Sequence, residues 1–178
     1  MEAEKAEAVF LAIGAHIAKR AYIPAKDSAR ILDAVSVLRS MEDAEEKPML
    51  GRRVAVYGGG NTALDVARTA RRLGATEAVI VYRRNQKKMP AHQFELEEAL
   101  EEGVKVKWLS TITKAEGTQL TIEKMALDEK GYPQPTGEFE TLDTDSLILA
   151  LGQEGDMSLL QSIEDLVIQD GVVQVDPQ

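Results

Sequence analysis

Two clusters in this sequence have the residue types and spacing to do chemistry. The first is Gly58-Gly59-Gly60-Asn61-Thr62-Ala63, which fits the pattern G-x-G-x-x-A. Glycine lets a chain turn tightly and lets backbone amides approach an anion with no Cβ in the way. If a helix begins here, the N–H groups of Asn61, Thr62 and Ala63 face the anion, with the positive end of the helix dipole behind them. In that arrangement Gly58 permits the turn, Gly60 admits a pyrophosphate and Ala63 keeps the helix close to the preceding strand. The second cluster is Arg83-Arg84, with Lys87 and Lys88 close behind. A dinucleotide turn that takes NAD or FAD usually has an acidic residue about 20 positions on, which holds the ribose 2′-hydroxyl. Here two guanidiniums stand at that point and no carboxylate does. That is the chemistry of a 2′-phosphate held by planar, charge-assisted hydrogen bonds. The residues favour NADP(H) over NAD(H) and over FAD.

The remaining reactive residues are less informative. His16 and His92 each lack a ligand partner at i+3 or i+4, so no metal site is expected. Glu95, Glu97, Glu98, Glu101 and Glu102 crowd one segment and read as a solvated outer face, with Glu95 or Glu98 as an alternative partner for the arginine loop. No Ser/His/Asp set or carboxylate pair is recognisable, so no catalytic acid, base or nucleophile is assigned. The absence of cysteine excludes disulfides, thiolate zinc sites and iron–sulfur clusters ligated by this chain. A net charge of −9 disfavours nucleic acid and anionic membranes as partners. No apolar run approaches the roughly 20 residues of a membrane span, and the charged start Met1–Lys5 lacks the apolar core of a secretory signal, so a cytoplasmic location is expected.

These clusters need elements to hold them. Arg53–Tyr57 reads as a buried strand running straight into Gly58. Ala63, Leu64, Ala67, Ala70 and Leu73 then form one helical face, which Gly74 ends. Ala78–Tyr82 is a second strand, Ala91–Glu102 a helix with Phe94, Leu96, Ala99 and Leu100 as its apolar residues, and Val104–Leu109 a third strand. Strand and helix in alternation predict a parallel α/β unit. Upstream, Ala8–Ile13 reads as a strand ending in Gly14, and Ile31, Leu32, Val35 and Leu38 recur at helical spacing behind a cap at Asp27 or Ser28. Ser40–Pro48 reads as a surface connector. Residues 110–142 lack helical periodicity and predict antiparallel strands at Gln119–Leu127 and Pro135–Leu142. Ser146–Leu151 is another buried strand, ended by Gly152. Its Ile148–Gly152 echoes Phe10–Gly14. A short helix near Met157–Ser162 and strands at Leu166–Ile168 and Val172–Val175 complete the reading. The expected fold is α/β and Rossmann-like: a parallel central sheet, helices on both faces and a small antiparallel hairpin or meander.

The run Val54–Leu73, followed by Val81-Tyr82-Arg83-Arg84, Met89-Pro90-Ala91 and Glu101-Glu102-Gly103-Val104, resembles the small (beta) subunit of glutamate synthase and its relatives. These are NADPH-dependent, FAD-containing oxidoreductases, among them the pyridine-nucleotide half of dihydropyrimidine dehydrogenase. The resemblance implies an NADPH domain inserted into an FAD domain. It implies that Gly58, Gly60, Asn61, Thr62, Arg83 and Arg84 contact NADPH, with Gly59 and Ala63 in the same turn. It places Ala150-Leu151-Gly152 near the nicotinamide end. It also implies hydride passage from NADPH to FAD and electron delivery to a partner, such as a large amidotransferase or another electron-accepting subunit.

The family's second glycine turn, which holds FAD, has no counterpart here. Residues 1–178 are therefore expected to be a single NADPH-binding domain with a core at about 52–152. It would be excised from a larger flavoprotein, with 1–51 and 153–178 resembling parts of the FAD domain and its connectors. NADPH is the expected ligand, and FAD is expected in the full-length protein but not held by this chain alone. The expected function is to bind NADPH and present its nicotinamide to FAD. An alternative is an NADP(H)-sensing or protein-interaction module without turnover of its own.

Overall fold

The computed structural model describes residues 30–43 and 47–160 continuously, together with 10, 12, 14, 15, 17–19, 22–26, 163, 166–169 and 172–174. Of the expected strand at Ala8–Ile13 only Phe10 and Ala12 are described, neither of them in a strand, and the caps at Asp27 and Ser28 lie outside the described residues, as does His16. The chain divides into two units, one of Ala18–Gly152 and one of Met1–Ile17 with Gln153–Gln178.

In the larger unit, β1 (Arg30–Asp33), β2 (Arg53–Gly58), β3 (Glu77–Val81), β4 (Lys105–Lys107) and β8 (Ser146–Ala150) form a five-stranded parallel sheet in the order β1-β8-β2-β3-β4. Three helices join its strands: α1 (Ala34–Asp43), α2 (Asn61–Arg72) and α3 (Gln93–Glu101). The last-formed strand, β8, lies between β1 and β2, with Ala150 beside Gly58. Strands β5 (Ser110–Glu116), β6 (Gln119–Leu127) and β7 (Pro133–Asp143) form an antiparallel meander, and Ala25–Lys26 pairs in parallel with β5.

Alternation along the parallel strands divides the core in two. Val54, Val56, Ala78, Ile80, Ile148 and Ala150 pack with the helices, where Ala63, Leu64, Val66, Ala67 and Ala70 of α2 are fully buried. The small residues of α2 let the helix lie close to the strands. Ala55, Tyr57, Val81, Leu147 and Leu149 face the other way, against Ile112, Ala115, Leu120 and Ile122 of the meander. The α/β fold with its parallel sheet is the expected one, but the expected helices on both faces are not found. All three described helices lie on one face, and the meander covers the other. Ile112, Leu120 and Ile122 give it an apolar face of period two, which a sheet layer can bury as well as a helix can.

Four further expectations change. Ile31 and Leu32 are in strand β1, paired with Leu147 and Ile148, and the helix starts only at Ala34. Its start is set by the Asp33 carboxylate, which accepts the Ser36 N–H at 2.8 Å. The connector expected at Ser40–Pro48 loses its first residues to α1. Ser110–Glu116, left without a strand by the sequence pattern, is β5. In the smaller unit, the expected helix reduces to one 3₁₀ turn, Ser158–Leu160, and Ile168–Gln169 pairs antiparallel with Val172–Val173.

The entry to the sheet is pinned at Asp145. Its carboxylate accepts the N–H groups of Arg52 (2.8 Å) and Arg53 (2.9 Å) and the Arg53 guanidinium (3.1 Å). Beside it, the buried Thr144 hydroxyl accepts the Ala55 N–H and donates to the Ser146 carbonyl. The backbone hydrogen bond from Arg53, then its side chain, holds the Asp145 carboxyl below the usual aspartate range. A depressed carboxyl stabilises the fold above its unfolded pKa, and that stability is lost as pH falls through the depressed value. We expect Asp145→Asn to lower stability at pH 6 by about 1 kcal/mol. It should also make the decline from pH 6 to pH 3 shallower than in wild type, as read by urea unfolding at the two pH values. An unchanged acid limb would show that Asp145 has no part in it.

Candidate functional site

The C-terminal ends of β2, β3 and β8 meet at one edge of the parallel sheet and open a cleft of about 550 Å³. Open parallel sheets take ligands at such an edge, where the strand order reverses. The three glycines of the turn that lines it serve different ends. At Gly58 (φ +151°) a Cβ would lie 2.1 Å from the Ala150 carbonyl oxygen. At Gly59 it would lie 2.4 Å from the Tyr82 ring. At Gly60 it would meet nothing within 4 Å. The first two glycines are demanded by the fold. The third leaves open space at the mouth of a helix.

That helix, α2, begins without a side-chain cap at Gly60. The Ala63 N–H is bonded to the Gly60 carbonyl at 2.9 Å, so Ala63, expected to face an anion, does not. The N–H groups of Asn61 and Thr62 precede the first intrahelical bonds and have no partner among the described residues. The Asn61 side chain is committed elsewhere, since its Oδ1 accepts the His92 N–H at 3.0 Å. With the Ala91 N–H on the Gly59 carbonyl (3.2 Å), this bond straps the 89–92 segment to the glycine turn.

Arg83, exposed, and Arg84, half-buried, follow β3 at the other side of the cleft. Tyr82 is buried beneath Gly59, meets Trp108 edge-on at 6.3 Å and donates its hydroxyl to the Lys88 carbonyl at 2.7 Å. Burial pushes its phenol above the ordinary tyrosine range, and the Arg84 and Arg83 charges act in the opposite direction. Among the described residues neither arginine has a carboxylate partner, and the buried Arg84 Nε has no acceptor. The arginines of α2 differ. Arg68 and Arg72 are held by Glu102 (2.6 and 2.7 Å), and Arg68 also by Glu98 (3.0 Å). The acidic helix thus clamps α2 and, among the described residues, makes no ion pair with the Arg83–Arg84 loop, contrary to the alternative that Glu95 or Glu98 serves that loop. Bonds from Arg68, then Arg72, hold the Glu102 carboxyl below its usual range.

Of the residues singled out from sequence, Gly58, Gly59, Gly60, Thr62, Arg83, Arg84, Ala150, Leu151 and Gly152 line this one cleft, while Asn61 and Ala63 adjoin it without forming its lining. Lys19, Tyr57, Val81, Tyr82 and Pro90 line it too and were not foreseen. One signal was available for Tyr82: the motif leaves its middle position free, so a third glycine at 59 implies a bulky neighbour. Lys19 gives no such signal, because it arrives through the bond from its N–H to the Gly152 carbonyl, 3.0 Å long. No group of three or more metal-ligating side chains occurs among the described residues, and no helix there is long and apolar enough to cross a membrane.

The fold is of the Rossmann type found in FAD- and NAD(P)-binding oxidoreductases. It superposes on Mycobacterium tuberculosis FprA in complex with NADPH with a TM-score of 0.66 at 18% identity, over 81% of this chain and 49% of that one. The chain belongs to the pyridine nucleotide-disulphide oxidoreductase family, whose pattern matches residues 2–178. A Geobacter sulfurreducens protein named NADPH-Fe(3+) oxidoreductase subunit beta is 36% identical, over 88% of this chain and 25% of the relative. A Cereibacter sphaeroides protein, provisionally named as an NADPH glutamate synthase small chain, is also 36% identical, over 91% of this chain and 44% of its own length. The chain thus spans less than half the length of either relative.

The different demands on the glycines are testable. Gly58→Ala should destabilise the protein by about 1–3 kcal/mol or more, because backbone must move. Gly60→Ala should leave the melting temperature within a few degrees of wild type. A large loss at Gly60, or none at Gly58, in thermal unfolding would contradict the geometry.

Proposed function

We propose that this chain binds NADPH and presents its nicotinamide to a flavin carried by another domain of a longer flavoprotein. The observation that carries the reading is a pair of guanidiniums with no carboxylate partner among the described residues, Arg83 and Arg84, across one cleft from an uncapped helix N-terminus. A 2′-phosphate and a pyrophosphate are the two anions of NADPH, and the cleft offers each a separate donor set. The open space over Gly60, the orphan N–H groups of Asn61 and Thr62 and the acceptor-less Arg84 Nε all fit that nucleotide. NADPH supplies a hydride when bound.

The chain's own residues bind and orient. The α2 amides fix the pyrophosphate, Arg83 and Arg84 fix the 2′-phosphate, and Ala150-Leu151-Gly152 forms the wall at the nicotinamide end. No side chain is assigned a proton transfer. Among the described residues no second glycine turn offers FAD the same cradle, so FAD is assigned to the rest of the parent protein. A partner subunit is assigned the role of electron acceptor, by analogy with the subunit names of the relatives.

Calorimetric titration with NADPH and NADH at low and moderate salt tests this directly. The wild-type chain should prefer NADPH, and the preference should weaken as salt rises. Arg83→Ala combined with Arg84→Ala should weaken NADPH binding by about 2–4 kcal/mol and leave NADH binding nearly unchanged. Equal losses for the two nucleotides would sink the 2′-phosphate assignment.

A further inference from the structure

Arg84 is held from a direction that neither the glycine turn nor its own strand supplies. The Arg84 Cζ lies 5.9 Å from the centroid of the Tyr132 ring, within cation–π range. Tyr132 stands at the tip of the β6–β7 hairpin and is 56% exposed, so burial of its own surface does not account for its position. The tip is tightly built. Asp128 Oδ1 accepts the N–H groups of Lys130 (3.0 Å) and Tyr132 (2.8 Å), and Oδ2 accepts Gln134 Nε2 (3.2 Å). The Asp128 N–H returns to the Tyr132 carbonyl at 2.9 Å. The tip abuts the basic loop as well: a Cβ at Gly131 would lie 3.3 Å from Lys88 Cε. The backbone continues the link, since Leu109 donates to the Arg84 carbonyl (3.1 Å) and Met125 of β6 donates to the Leu109 carbonyl (2.7 Å).

We infer that Tyr132 is a positioning residue for nucleotide selectivity. Its ring seats the Arg84 guanidinium at the cleft, so the antiparallel sheet sets how well the site tells NADPH from NADH. This inference rests on the 2′-phosphate reading above. The physical argument concerns entropy. A free arginine side chain loses much of its rotamer freedom when a ligand fixes it. An aromatic seat removes part of that freedom before the ligand arrives, and it does so without supplying a competing anion. A carboxylate in the same place would hold Arg84 equally well but would neutralise the charge the phosphate needs.

The test is calorimetry on the 178-residue chain with NADPH and NADH, for wild type, Tyr132→Leu, Tyr132→Phe, Arg84→Ala and the Tyr132→Leu/Arg84→Ala pair. Tyr132→Leu should lose roughly 3- to 10-fold in NADPH affinity and less than 2-fold in NADH affinity. Tyr132→Phe, which keeps the ring face, should restore NADPH affinity to within about 2-fold of wild type. In the Arg84→Ala background the Tyr132→Leu effect should vanish, as a double-mutant cycle requires of a contact that acts through Arg84. The inference is overturned if Tyr132→Leu binds NADPH like wild type, if it loses NADH equally, if Phe fails to rescue, or if the loss persists without Arg84. If the wild-type chain itself shows no preference for NADPH, the 2′-phosphate reading fails first and this inference with it. A wild-type preference with an indifferent Tyr132 rejects this inference alone.

Discussion

Two strand ends approach each other closely at the glycine turn. The carbonyl of Ala150 faces Gly58 across the β8–β2 register, with room for no atom beyond the glycine hydrogen. Because the two strands end together there, the chain leaving β2 cannot continue along the sheet. It turns at Gly59, over the Tyr82 ring, and enters α2 at Gly60. Each consequence follows from that proximity. The helix starts at the sheet edge, its first amides point into the cleft, and Ala150-Leu151-Gly152 becomes the opposite wall. The strap formed by Asn61 to His92 and by Ala91 to Gly59 then ties the following loop onto the same turn.

The two faces of the parallel sheet divide the labour. The helical face carries the glycine turn, with α2 packed close through its alanines and locked to α3 by the Arg68–Glu102–Arg72 cluster. Those ion pairs are half-exposed and contribute little singly, but they share one carboxylate and join two helices that otherwise meet through small side chains. The meander face carries the other end of the site. Tyr57 reaches it from β2, its hydroxyl 2.6 Å from Thr111 Oγ1, and Leu109, in the left-handed region at φ +48°, bends the chain from β4 into β5 while holding the Arg84 carbonyl. The glycine turn and the arginine loop thus contact layers with separate cores, joined through the sheet between them.

The strand–turn–helix unit was legible because everything in it is local. The apolar run Val54–Val56, the glycines and the α2 stripe lie within twenty-five residues, and each has one period. The arginine pair was legible through its distance from the glycines. The layer arrangement was not, because an alternating pattern such as Ile112, Leu120 and Ile122 says that one face is buried but not against what. The β1 segment was misread for a related reason. Ile31, Leu32, Val35 and Leu38 fit a helical stripe, and only pairing with β8, more than a hundred residues away, makes the first two a strand. Tyr82 and Lys19 line the cleft by contact across sequence separation, and only the first is hinted at locally, by the third glycine.

Charge is where the local and the global readings part. The chain is acidic overall, at −9, and a distant anion is repelled. At physiological salt that repulsion fades over about 8 Å, so the residues within one such length of the cleft decide what binds there. Lys19, Arg83 and Arg84 are the charged residues that line it, and the chain has plenty of carboxylates with which to neutralise the two arginines. It spends these elsewhere: Glu98 and Glu102 on α2, Glu140 on Lys107, Glu138 on Lys124. The arginine nearest those acidic residues in sequence, Arg84, has an aromatic ring for a neighbour and a buried N–H without an acceptor. A buried N–H left unpaired costs about 1–3 kcal/mol, a cost that an anion in the cleft removes. In the proposed complex that gain lies at Arg84, because Arg83 is exposed and water already satisfies its N–H groups in the free state.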